Sequence, residues 1–239
     1  MPETTTASGA KPGAEDMFEI FYSPSAVFER RSGGQYGLPL VALAVISLVL
    51  LIATKGLLQP MFDAEMAAGL ARSTAKMTPA QAEQARSVAQ SMSGIGTMIA
   101  VPLAYLIGPF ILGGIAWLVA RAVGVKQRYA VAVMIATFAW YPRLIEWVAS
   151  AIQMALIPNV QVTSRLSLSL GLGRFMDGGH PTIATALLGR VDVFTLWVTC
   201  LIGLGFMVTA KATKAQAMMI GIITWVIGAL LPVIAVLRS

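Results

Sequence analysis

Long apolar runs alternate with shorter polar segments along most of this 239-residue sequence. Because about 20 helical residues cross a hydrocarbon core of ~30 Å, runs of this length predict transmembrane helices. Helices are expected because the bilayer core holds no water to satisfy free backbone groups. The pattern therefore predicts an all-α, polytopic membrane helical bundle of about five transmembrane helices, over residues 38–58, 95–120, 129–152, 193–210 and 215–237.

The first 36 residues differ in composition from the membrane domain (37–239) that follows them. Residues 1–16 are rich in Thr, Ser, Gly, Pro and acids, so we expect them to be disordered. Residues 24–31 begin with a proline after Ser23, which favours a short helix. That helix has one apolar and one charged side, which suits the membrane–water interface. The sequence thus predicts a tail that carries an interfacial helix.

A polar, alanine-rich section separates the first two spans, over residues 59–94. Thr78, followed by a proline, is a typical N-cap of a helix. We therefore predict two short surface helices here, at residues 61–75 and 79–92. A total of four or six spans would require one apolar run to re-enter the membrane or this section to insert.

Short basic loops give the predicted orientation. Residues 121–128 contain three cations and no acid, and residues 211–216 contain Lys211 and Lys214 without an acid. Such loops stay on the cytoplasmic side of a membrane. Five spans therefore place the N-terminus in the cytoplasm and the C-terminus outside.

The composition excludes several classes of protein. Hydrophobic residues make up 57% of the chain and charged residues 12%, which excludes a water-soluble globular domain. The net charge of +6 is scattered rather than gathered with aromatics, so no nucleic-acid partner is expected. The single cysteine, Cys200, excludes an intrachain disulfide, and the single histidine, His180, has no second metal ligand near it. Without a catalytic motif, we expect no enzyme, no cofactor and no metal site.

Two charged residues lie in the third apolar run, where each costs ~2.5–3.5 kcal/mol to insert. Arg143 and Glu146 share one helical stripe with Ser150 and Gln153, with Trp140 and Trp147 beside it. This stripe should face protein. In one interpretation the two charges pair with each other, or with Arg190 and Asp192, and hold helices together. In the other they line a solute path, although the other apolar runs carry no charge apart from Lys55 near the end of the first.

The fourth apolar run carries further packing candidates. Asp192 is placed to cap a helix over residues 193–210. Gly203 and Gly205 form a notch for a close-packed helix, and Trp197 lies on the same run.

Several of these features occur together in a known family. The stretch SPSAVFERR precedes the first span, MTPAQAEQA lies in the polar section, and LLGRVDVFTLWVTCLIGLGFMVTAKATKAQA covers the fourth span and the loop after it. In this order they resemble the Yip-domain family, five-span membrane proteins named for contacts of eukaryotic members with Ypt/Rab GTPases. The most specific matches are Asp192, Phe194, Trp197, Gly203 and residues 211–217. The short region before the first span resembles the bacterial-type branch, which implies the bacterial cytoplasmic membrane.

Taken together, the sequence predicts a non-enzymatic integral membrane scaffold or interaction subunit. Its expected partners are membrane lipids and other integral membrane proteins or further copies of itself. The candidate packing residues are Trp140, Arg143, Glu146, Trp147, Asp192, Trp197, Gly203 and Gly205. The alternative is a small-solute or lipid transporter or channel that uses the Arg143 and Glu146 stripe.

Overall fold

The computed structural model describes residues 13–75, 77–156, 162, 165–176 and 182–237. These residues fold into α-helices and two short 3₁₀ helices. In chain order the α-helices are α1 (Asp16–Glu19), α2 (Pro24–Arg30), α3 (Gly37–Thr74), α4 (Pro79–Ala122), α5 (Tyr129–Trp140), α6 (Pro142–Leu156), α7 (Ile183–Leu188), α8 (Val193–Ala210) and α9 (Lys214–Leu237). The 3₁₀ helices are Arg165–Leu168 and Leu172–Phe175. Residues 1–12 and His180 lie outside the described part.

Four helical segments among the described residues are long and apolar enough to cross a membrane. They are Gly37–Ala71, Gly96–Ala122, Tyr129–Leu156 and Val193–Ala210. A fifth apolar segment, Lys214–Leu230, is shorter and lies within α9. These helices confirm the expected polytopic helical bundle of an integral membrane protein. The exact number of crossings and the sides on which the termini lie stay predictions.

The first two spans continue past the membrane as single helices. With 38 residues in α3 and 44 in α4, these helices are about 57 and about 66 Å long, well beyond a ~30 Å core. The two separate surface helices expected over residues 59–94 are therefore wrong. The alanine-rich sequence favours helix throughout, so each segment extends a span. Thr78 does begin α4, in a capping box with Gln81. We call residues 59–74 and 79–94 the helical arm.

The centre of the bundle is α5. Every residue from 131 to 139 is buried, and α5 packs against α3, α4 and α8. This sequence is apolar on all sides, which is typical of a helix surrounded by protein. On two sides, glycines allow close approach: Gly113 of α4 meets the backbone at Val133, and Gly205 of α8 meets Ile135.

A break at Tyr141 separates α5 from α6 within the third span. Pro142 has no N–H and disfavours a regular helix before it. The Tyr141 N–H accordingly donates to the Phe138 carbonyl, one residue nearer than in an α-helix, at 3.2 Å. The Tyr141 hydroxyl donates to the Pro39 carbonyl at 2.8 Å, which ties the break to the start of α3. The break reorients α6, and α6 carries the polar stripe.

Large apolar side chains are exposed along the outer helices at helical spacing. On α3 these are Leu38, Val41, Val45, Val49 and Ile52, and on α9 they are Met218, Ile222, Val226, Leu230 and Ile234. Water would penalise such continuous apolar surfaces. In a membrane protein they are the lipid-facing sides of the bundle.

The N-terminal segment packs into the bundle. Val27 and Phe28 are fully buried, and α2 contacts α8. The apolar side of α2 thus faces protein instead of lipid tails. Phe21 lies between Tyr141 and Trp197, with ring centroids 6.5 and 5.9 Å away.

A cluster of charged residues connects α1 with the end of α2 in this segment. Asp16 has no exposed surface and accepts from the Arg30 Nε at 3.0 Å and the Arg31 Nε at 2.6 Å. Glu19 also accepts from Arg30, and these hydrogen bonds, that of Glu19 first, raise the pKa of Arg30 above its ordinary value. Arg31 lies over the Phe138 ring, 5.2 Å from its centroid. The expectation of disorder up to residue 16 is therefore wrong at its end. We call Asp16, Glu19, Arg30 and Arg31 the N-terminal ion cluster.

Candidate functional site

A polar cavity of about 460 Å³ lies between α4, α6, α8 and α9. The segment before α8 and the first 3₁₀ helix complete its wall. Its charged lining residues are Arg143, Glu146, Arg190 and Asp192. Two cations and two acids thus share one space inside a bundle whose outer surface is apolar.

Arg143 joins α6 to the beginning of α8. It donates from Nη1 to Glu146 Oε2 at 2.6 Å and from Nη2 to Thr195 Oγ1 at 2.8 Å. The Thr195 hydroxyl in turn donates to Asp192 Oδ2, while the Thr195 N–H donates to Asp192 Oδ1 at 2.9 Å. Asp192 is the N-cap of α8, as its position predicts. The charges therefore pair along the chain and, through Thr195, across two helices.

Two other polar groups at the cavity lack a partner among the described residues. These are the Nε of Arg190 and the hydroxyl of Thr224, both buried. Thr224 is 1% exposed, in the middle of α9. Burial, and then the positive charge of Arg143, lower the pKa of Arg190, while Asp192 acts in the opposite direction. The cavity is thus lined by a guanidinium and a hydroxyl group. The Nε of the guanidinium and the oxygen of the hydroxyl form no hydrogen bond with the described residues.

The polar stripe of α6 faces protein, in keeping with its spacing. Arg143, Glu146 and Ser150 line the cavity, and Gln153 donates to the Leu168 carbonyl at 2.8 Å. Trp147 points to the other side of the stripe, where its Nε1 donates to Thr54 Oγ1 of α3 at 2.9 Å.

The remaining sequence candidates lie at helix contacts within the chain. Trp140 packs against Gly108 of α4. A Cβ on Gly108 would lie only 2.6 Å from the Trp140 ring. A Cβ on Gly203 would lie 2.8 Å from the Ala217 carbonyl oxygen of α9. Trp197 contacts Phe21. These residues are therefore used to assemble the bundle itself, which the sequence did not separate from contacts with a partner.

Sequence reasoning missed the hydroxyl groups of the cavity, Thr195, Thr199 and Thr224. A threonine in an apolar helix gives little signal because its hydroxyl can bond its own backbone, as Thr199 does to Thr195 at 2.8 Å. The cavity wall is built from four helices that are distant in sequence, so its residues show no regular spacing that could predict it. For Arg190, the sequence predicted only a possible pairing partner of Arg143 and Glu146 and gave no sign of a binding residue.

The donors at this site can bind a ligand. The described residues contain no group of three or more His, Cys, Asp or Glu that could hold a metal ion. Cys200 is exposed on α8 and does not line the cavity. The arrangement offers fixed hydrogen-bond donors in a protected space, which suits recognition of an acceptor-rich group.

The Arg143–Glu146 pair has a measurable structural role. We expect Glu146→Gln to lower the free energy of unfolding by about 1.5–3 kcal/mol, since it removes the negative charge that pairs with Arg143, and both side chains are only about one-fifth exposed. A matched control exists in the helical arm, where Glu83 and Arg86 have the same spacing but are 3.8 Å apart and mostly exposed. Glu83→Gln should change stability by less than about 0.5 kcal/mol. Unfolding in mixed detergent micelles measures the stability of both variants. Equal losses would contradict a structural role for the Arg143–Glu146 pair.

Comparison with known proteins gives one match. The model of the Yip1 domain matches residues 18–236, nearly the whole described chain. No curated protein and no solved structure shows significant similarity to it.

Proposed function

Because the chain belongs to the Yip1 domain family of integral membrane proteins, we propose that it acts without catalysis, as a membrane interaction protein whose recognition site is the polar cavity. The observation that carries this proposal is the pair of buried donors, Arg190 and Thr224, at a cavity of about 460 Å³. Cavities of about 300–1,000 Å³ bind small molecules and cofactors in proteins. An unsatisfied polar group inside a bundle is costly, so a bound acceptor would stabilise it.

Binding is favoured over transport by the position of the charges. Arg143 and Asp192 lie close together, at the start of α6 and at the N-terminus of α8. The neighbouring core helix α5 is apolar and buried from residue 131 to 139, where only Thr137 is polar. A path across the membrane would need polar groups along its length. The four charged residues that line this cavity instead lie beside the starts of α6 and α8.

A scaffold for other integral membrane proteins is the second candidate. Gly203 and Gly205 do not supply a surface for such a partner, since they already pack against α9 and α5. The helical arm favours it, because most of the side chains from 79 to 89, at the start of α4, are exposed there. Another membrane protein would find its contact surface on this arm.

The experiment fills the cavity. Ser150→Phe adds an aromatic ring to the cavity wall, while Ser87→Phe makes the same change on the exposed surface of the arm. We expect native mass spectrometry of wild-type protein from mild detergent to show a co-purified small molecule. Ser150→Phe should lose it, and Ser87→Phe should retain it. Adducts unchanged by Ser150→Phe would contradict the proposal, and a stoichiometric protein partner without a small molecule would favour the scaffold.

A further inference from the structure

The two unpartnered atoms at the cavity are both hydrogen-bond donors. The guanidinium of Arg190 has only N–H donors, and the Thr224 hydroxyl can donate one hydrogen. The Nη2 of Arg190 extends towards α9, where a Cβ on Gly228 would lie 2.9 Å from it. The backbone of Arg190 is held there too, since the Trp225 Nε1 donates to its carbonyl at 3.3 Å. Both donors thus lie beside α9, and neither atom has an acceptor among the described residues.

The acids of the cavity are already engaged. Glu146 accepts from Arg143, and both oxygens of Asp192 accept from Thr195. Among the described residues, no acid forms a salt bridge with Arg190 within 4 Å, the distance that defines one. Among the described residues, Arg143 therefore has a counter-ion, whereas Arg190 has none in direct contact. Asp192 influences it only through space.

We propose that this cavity binds a phosphate group carried by a larger molecule, with Arg190 and Thr224 as its donors; this inference rests on the binding function proposed for the cavity. A planar guanidinium binds two phosphate oxygens at once, which a single ammonium does not. A phosphate group alone would fill only a small part of about 460 Å³. The rest of the wall, with Leu166, Val198 and Trp225, suits the glycerol and first acyl carbons of a phospholipid.

A bound phosphate would also stabilise the positive charge of Arg190. Burial and Arg143 both lower the pKa of Arg190, which means that they disfavour its charged form. An anion beside it would favour the charged form and offset that cost. An uncharged ligand would leave the cost in place.

The test uses full-length protein in phosphate-free detergent, with Trp140 and Trp225 of the cavity wall as fluorescence reporters. The probes are dihexanoylphosphatidylglycerol, dihexanoylglycerol without phosphate, and inorganic phosphate. We expect the phospholipid to bind wild type and to lose about 10- to 100-fold in affinity with Arg190→Gln. Thr224→Val should lose about 3- to 10-fold. Arg128→Gln removes an exposed cation away from the cavity and should bind like wild type.

Each outcome is decisive. Phospholipid bound more tightly than inorganic phosphate identifies a headgroup site, and equal affinities identify a site for free phosphate; both support recognition of phosphate. Dihexanoylglycerol that binds as tightly as the phospholipid would overturn it, as would wild-type affinity in both Arg190→Gln and Thr224→Val. If dihexanoylglycerol binds and Ser150→Phe abolishes that binding, the cavity function stands and only the phosphate inference fails. Phospholipid binding that Ser150→Phe leaves unchanged would end both.

Discussion

Asp16→Asn should lower the free energy of unfolding by about 3–5 kcal/mol, which is the usual effect of breaking a buried ion pair. The side chain of Asp16 has no exposed surface, and that of Arg31 is 3% exposed. With a neutral amide in place of the carboxylate, the guanidinium of Arg31 remains buried without its counter-ion. Unfolding in mixed detergent micelles measures the loss.

Glu29→Gln is the matched control for Asp16→Asn. Glu29 lies on α2 beside the N-terminal ion cluster but is exposed, so its loss should change stability by less than about 0.5 kcal/mol. The proposed role of the cluster also predicts faster proteolysis between α1 and α2 in Asp16→Asn, because the segment would detach from α8. An Asp16→Asn protein as stable and as protected as Glu29→Gln would show that the cluster does not hold the segment.

Gly113→Ala should destabilise the bundle, and Gly114→Ala, at the next position, should not. A Cβ on Gly113 would lie 2.9 Å from the Val133 Cα and 3.0 Å from the Ala132 carbonyl oxygen. These are backbone atoms of the central helix α5, so relief requires α4 and α5 to separate. We expect a loss of about 1–3 kcal/mol, typical of overpacking.

At Gly114 the same methyl group would meet only the Tyr129 ring, at an ordinary 3.8 Å. Alanine favours helix over glycine by up to about 1 kcal/mol, so Gly114→Ala should leave stability equal or higher. The two variants have identical composition, and their difference isolates the close approach of α4 and α5. Thermal unfolding in one detergent compares them directly, and equal transition temperatures would contradict this packing.

Residues whose role is local could be predicted from the sequence. Thr78 and Asp192 begin their helices because a capping side chain needs only the next three residues. The stripe of Arg143 and Glu146 follows from helical spacing, and these two residues form the expected pair. The Yip1 family membership rests on the same sequence and is confirmed.

The helical arm shows where local reasoning was insufficient. Composition predicted helix over residues 59–94, but it gave no sign that α3 and α4 continue into it without a break. An end of a helix is marked by a cap or a breaker, and the only proline near the boundary, Pro60, is accommodated inside α3. The polar change at that boundary reflects the change of solvent and leaves the helix intact.

By itself, the sequence determined the membrane class, the helical character of the apolar runs and the polar stripe, because a bilayer requires every backbone group to bond within its own helix. Only the tertiary structure decided which residues meet. Asp16 finds Arg30 and Arg31 through a turn, Gly203 packs against α9 within the chain, and Arg190 shares a cavity with Thr224. These contacts depend on how helices pack against one another. Packing is set by the shapes of whole surfaces, which no local period of the sequence encodes.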